Sequence, residues 1–87
     1  MSVDLLSTIL YYLVMNNNEK ILLSKLAKKI KIKRTELNIT QEKLAEKCGF
    51  DRTYISLLER SKRNPSYLNL VKLSDGLEIT ISDLLLE

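Results

Sequence analysis

Histidine is absent from this 87-residue chain, and Cys48 is its only cysteine. Imidazole catalysis is therefore excluded, a Cys/His zinc site cannot be assembled, and no intrachain disulfide can form. Glycine occurs twice and proline once, while 45% of residues are apolar. With so few breakers the expectation is a compact helical protein rather than a disordered or all-β one. Basic residues are missing from positions 1–19 and 73–87. The apolar run at residues 3–15, VDLLSTILYYLVM, thus lacks the cationic start of a signal peptide. No small-residue cleavage site follows it, and it falls short of the ~20 residues of a membrane span. A cytoplasmic protein with no membrane partner is expected.

What the chain does contain is concentrated. All 14 Lys and Arg fall within residues 20–72, against only Glu36, Glu42, Glu46, Asp51 and Glu59, and the flanks carry the other acidic groups. A positive middle with acidic ends suits a polyanion such as nucleic acid. Lysines on a helix also serve solubility alone, so charge by itself leaves both readings open. The length allows one domain, which buries only about 60% of its unfolded surface and would gain from self-association.

The stretch Thr40–Pro65 organises the rest. Thr40 can cap a helix whose first turn carries Gln41 and Glu42, because a hydroxyl accepts from a free backbone N–H and a carboxylate suits the positive end. Leu44, Ala45 and Cys48 recur at helical spacing, and Gly49 ends the helix in the left-handed region. Asp51 is placed to cap a second helix, in which Ile55 and Leu58 face inward while Arg52, Thr53, Ser56 and Arg60 fall on other faces. Two helices joined through a glycine, the second polar and basic near its start, match a helix-turn-helix for the DNA major groove. A helical hairpin in an ordinary bundle shares that local pattern.

Around this core, residues 1–18 form an apolar arm, expected helical, with Ser2 as cap and Asp4 in the first turn. Its apolar residues occupy almost every face, so it needs cover on more than one side, and packing across a dimer interface is expected. Asn16–Asn18 are expected to break the run and cap the next helix. From Glu19 to Leu37 the inner stripe is Leu22, Leu26, Ile30, Arg34 and Leu37. Arg34 is a charge on a buried stripe and needs a partner; Glu59, following Leu58, is the natural one, and a structural ion pair is predicted. Asn38 is expected left-handed, with Ile39 tucked inward. Pro65 and Ser66 start a further helix with Leu70, Leu73 and Leu77 inside and Gly76 permitting close approach. Thr80 and Asp83 are spaced as a capping pair for a short last helix through Leu84 and Leu85. Leu68, Ile81, Leu85 and Leu86 look surplus to the core and are expected at a dimer interface.

TQEKLAEKCGFDRTYISLLER, preceded by IKIKR and followed by RNPS and the LxKLxxGLEIT helix, resembles the lambda-repressor-like, Xre-type helix-turn-helix domains. DRTYIS, ER and RNPS look most like the controller proteins of restriction-modification systems. The resemblance implies an all-α, five-helix DNA-binding domain over residues 19–87, including a C-terminal dimerisation helix, with an extra apolar helix at residues 1–18. It implies a homodimeric transcriptional regulator of double-stranded operator DNA, acting on its own and the endonuclease gene, with no cofactor and no small-molecule ligand. Gln41 is similar to the family's phosphate-contacting glutamine. Arg52, Thr53, Tyr54 and Ser56 stand where the family's recognition helix meets bases and backbone, and Arg60, Arg63 and Asn64 match backbone or groove contacts. Arg34 and Glu59 match an internal salt bridge of the family. Leu57 occupies a position often polar in phage repressors, Asn38 stands where glycine is usual, and Ile32 with Lys33 reverses the usual apolar placement.

Groove chemistry assigns the roles. Arg52 can donate twice to guanine O6 and N7, and Thr53 can meet a thymine methyl or a base edge. Lys43, Arg60, Lys62 and Arg63 would hold phosphates and fix register. The rivals are an antitoxin-like or phage-type repressor, a protein-interaction module on the same fold, and an enzyme using Cys48. Cys48 lies on the apolar stripe with no histidine anywhere in the chain, which fits a core thiol.

Overall fold

The computed structural model describes residues 5–86, and the side chains of all of these except residues 8 and 11–16. Among the described residues the elements are all helical: α1 (Leu5–Glu36), α2 (Gln41–Cys48), α3 (Arg52–Glu59), α4 (Tyr67–Gly76) and α5 (Ile81–Leu85). None of these helices is long and apolar enough to cross a membrane.

The expected break at Asn16–Asn18 does not occur. α1 runs through it for 32 residues, so the arm and the first helix of the domain are one rod. Asparagine in a helix interior costs only about 0.7 kcal/mol relative to alanine, and no glycine or proline interrupts the backbone ladder there. The expected cap Ser2 and first-turn Asp4 lie outside the described residues. Leu22, expected on the inner stripe, is 65% exposed. The stripe is real from Leu26 onward, but the helix extends past the last core element that could cover Leu22.

Helix ends follow the side-chain chemistry. Asn38 adopts φ 58°, turning the chain out of α1. The Thr40 hydroxyl accepts from the Lys43 N–H at 3.0 Å, Ser66 from Asn69 at 3.2 Å, and Thr80 from Asp83 at 3.0 Å. Such caps are worth about 1 kcal/mol each. Gly49 takes φ 76°, and its N–H and that of Phe50 return to the last carbonyls of α2. Asp51 holds the N-cap position of α3, but its side chain makes no cap bond; its carbonyl accepts from Tyr54 and Ile55 instead.

α2 packs on α3 and α4, α1 on α3 and α5, and α4 on α5, and the core lies between them. Ile30, Leu44, Ile55, Leu73 and Leu77 are fully buried, and Leu84 seals the last helix onto them. Gly76 sets the spacing of α4 against α2, since a Cβ there would overlap the Cys48 sulfur. Burial pushes the Cys48 thiol up from 9.0 to about 11. The whole measures 55 × 24 × 20 Å. Its long axis reflects α1, whose N-terminal half leaves the domain with Leu5, Ile9, Leu10 and Ile21 exposed.

Candidate nucleic-acid interface

α3 is eight residues long, about 12 Å at 1.5 Å per residue, comparable to the width of a B-DNA major groove. Its inner face is anchored by Ile55 and Leu58, both buried. Arg52, Ser56 and Arg60 recur every fourth residue on another face, with Thr53 beside them. Arg52, Thr53 and Arg60 are exposed, and Ser56 is half-buried. Arg60 donates from Nε to the Ser56 carbonyl at 3.2 Å, which holds the guanidinium along the helix.

The orientation of α3 is fixed from below by the predicted ion pair. Arg34 donates from Nε to Glu59 Oε2 at 2.7 Å and from Nη2 to Oε1 at 3.0 Å, while Nη1 donates to the Ile39 carbonyl at 2.9 Å. The two side chains are 12% and 3% exposed. A bidentate fork with the third guanidinium nitrogen also engaged is the geometry in which a buried pair is tolerated. The hydrogen bond to Glu59 holds the Arg34 pKa above its ordinary value. Gln41, expected at a phosphate, donates from Nε2 to Glu59 Oε1 at 3.2 Å. Its second amide N–H and its carbonyl oxygen stay available at the start of α2.

Tyr54 is also tied inward. Its hydroxyl accepts from Asn69 Nδ2 at 3.0 Å, and its ring meets Phe50 edge-on with centroids 4.8 Å apart. The expected base-reading set thus divides into two: Arg52 and Thr53 project, whereas Tyr54 and Ser56 lie closer to the domain. Leu57, where a base-reading side chain is often found, is half-buried.

The flanks are basic. Lys43 is exposed and pairs weakly with Glu46 at 3.5 Å. Beyond α3, Ser61 adopts φ 61° and swings the chain into a loop on which Lys62, Arg63 and Asn64 are all exposed. Two further contacts, like that of Gln41 with Glu59, lay outside sequence reasoning. Glu42 of α2 approaches Arg52 to 3.8 Å, with both side chains mostly in solvent, and Asn69 of α4 holds Tyr54. Each joins different helices, and no spacing rule reports such a pairing.

Residues 30–84 match the family model described as Helix-turn-helix. The chain is 44% identical over 68 residues to Control protein C.MunI from a Mycoplasma species, spanning 78% of this chain and 89% of that protein. It is 41% identical over 71 residues to Control protein C.BamHI from Bacillus amyloliquefaciens, spanning 82% and 85%. Among solved structures, the restriction-modification controller protein C.AhdI from Aeromonas hydrophila superposes with a TM-score of 0.70 at 37% identity, covering 71% of this chain and 94% of that one.

Proposed function

Because the chain belongs to the helix-turn-helix family, in its Xre-type branch beside the restriction-modification controller proteins, we propose that it binds a two-fold operator as a homodimer and controls a restriction-modification system, its own gene included. That it is a DNA-binding regulator and not an enzyme follows from the family itself. The observation that carries the finer reading is the division of α3. Ile55 and Leu58 lock one face into the core, and Arg52, Thr53 and Arg60 stand exposed between the cations Lys43, Lys62 and Arg63.

In this reading α3 enters the major groove. Arg52 donates two hydrogen bonds to a guanine edge, and Thr53 meets the neighbouring base. Lys43, Arg60, Lys62 and Arg63 neutralise phosphates, with Gln41 and Asn64 adding hydrogen bonds to the backbone. Tyr54, with its hydroxyl already engaged by Asn69, and Ser56 complete the contact from the side of the helix. Leu68, Ile81, Leu85 and Leu86 join two copies; all but the half-buried Ile81 are exposed in the single chain. Two-fold pairing places the α3 helices in successive major grooves, ~34–36 Å apart. Cells would hold such a protein in the cytoplasm, with its DNA.

The test separates readers from holders. Arg52→Ala is expected to lower affinity for the operator by about 1–3 kcal/mol and to flatten base preference at one position in each half-site. Lys62→Ala is expected to weaken all sequences alike and to make the salt dependence shallower by about one unit of slope. Equal losses on operator and random DNA for Arg52→Ala would overturn its assignment.

A further inference from the structure

Two apolar surfaces stand open among the described residues. One is the N-terminal half of α1, where Leu5, Ile9 and Leu10 are exposed at 72%, 47% and 52%. The other is a groove of about 530 Å³ between α1 and the end of α5, with Leu22 and Leu26 on one wall, Pro65 and Leu70 at the floor, and Leu85 and Leu86 opposite. Lys28 and Lys29 stand along its rim, and Lys29 Nζ donates to the Leu86 carbonyl at 3.0 Å.

We infer that the groove receives the N-terminal half of α1 from a second copy of the chain, so that two α1 helices cross antiparallel and each arm fills the other's groove. The inference rests on the homodimer reading above and deepens it by naming what the arm touches. α1 is unbroken from Leu5 to Glu36. A continuous helix cannot fold back onto a groove built along its own C-terminal half, so the arm that fills the groove comes from another chain. From Leu5 to Leu22 the rod extends about 25 Å at 1.5 Å per residue, enough to span the groove and reach α5. Two reciprocal strips of that length and about 10 Å width remove on the order of 1,000 Å² from water, at the low end for a specific interface before Leu85 and Leu86 are extended by other contacts. The signs do not oppose the contact: residues 1–19 carry no basic side chain to repel the lysines of the rim.

The asparagines acquire a role in this arrangement. With the two-fold axis near Asn18, Leu10 of one copy comes opposite Leu26 of its partner, and the exposed Asn17 and Asn18 meet their counterparts at the crossing. A polar residue inside an apolar helix contact fixes register and orientation, because any slip buries it without a partner.

The experiment uses the full chain. Leu10→Cys and Leu26→Cys are made as separate proteins, mixed, and oxidised; Cys48 stays out of the exchange because its thiol is buried and pushed up to about 11. A disulfide-linked heterodimer is expected from the mixture, and little from Leu10→Cys alone, whose two arms lie apart. In sedimentation equilibrium, Ile9→Asp with Leu10→Asp is expected to raise the dimer dissociation constant at least about 100-fold, since each carboxylate would enter an apolar contact. Both residues are exposed in the single chain, so helicity and domain melting report that the fold is kept; Leu85→Asp gives the reciprocal groove variant. An unchanged dissociation constant, absence of the heterodimer link, or an amphiphile filling the groove in native mass spectra would overturn the inference. Operator binding by the wild-type chain without the arm link would overturn only the arm contact. The link in a chain that binds no DNA would support the contact and overturn the regulator reading.

Discussion

The two halves of α1 share one backbone ladder and differ in almost everything else. From Leu26 to Arg34 the helix is part of the domain: Ala27 and Ile30 are buried, and Arg34 is clamped by Glu59 and the Ile39 carbonyl. From Leu5 to Leu22 the same helix carries large apolar residues in the open. Helix propensity cannot account for both, since most helical stability in proteins comes from packing of a face. In the C-terminal half, that packing is supplied by the chain itself. In the N-terminal half Leu5, Ile9 and Leu10 stay exposed in the single chain, and in the proposed dimer a second copy covers them.

The sharpest way to break this contrast is at the clamp. Glu59→Ala leaves Arg34 buried without its partner and is expected to destabilise the domain by about 3–5 kcal/mol in denaturant titration. Next comes a matched pair on one helix. Ile30→Ala is expected to cost about 2–5 kcal/mol, because it opens a cavity in a filled core, whereas Ile9→Ala, in dilute protein where copies are apart, is expected to cost under about 0.5 kcal/mol. Comparable losses at the two positions would show that the arm packs within its own domain.

A smaller effect reads the core by pH. Well below pH 9 the Cys48 thiol is protonated whether the chain is folded or unfolded, and it contributes no pH dependence. Between 9.0 and about 11 only the unfolded chain ionises it, so stability falls as pH rises, by about 1.4 kcal/mol per unit at most. Cys48→Ala removes that component, and its unfolding free energy is expected to fall less steeply over the same window. Smallest is the cap of α2: Thr40→Ala is expected to cost about 1 kcal/mol, measured by thermal melting.

Local chemistry made much of the domain legible in the sequence. Thr40 and Thr80 each precede a helix at the position where a hydroxyl can accept, and both do so; Ser66, read with Pro65 only as the start of a helix, turns out to be a third such cap. Arg34 could be paired with Glu59 because a single charge on an otherwise apolar stripe demands a nearby opposite charge. Asn38 and Gly76 were legible for steric reasons, one at a left-handed turn and the other at a helix contact. Asn16–Asn18 misled because asparagine favours turns only weakly, and an intact ladder outweighs it. Leu22 misled because periodicity tells which face is apolar and not how far along the helix a partner extends. Within the interface, exposure of Arg52 and Thr53 followed from the buried positions Ile55 and Leu58. The tie from Gln41 to Glu59 and the grip of Asn69 on Tyr54 depend on how three helices meet, which no single helix encodes.

A footprint on DNA flanking the chain's own gene tests the central claim most directly. Two protected half-sites related by two-fold symmetry, about one helical turn or ~34–36 Å apart, are expected, with protection lost for Arg52→Ala. Uniform protection without half-sites, or a symmetric footprint that Arg52→Ala leaves unchanged, would contradict the assignment of α3 as the reading helix.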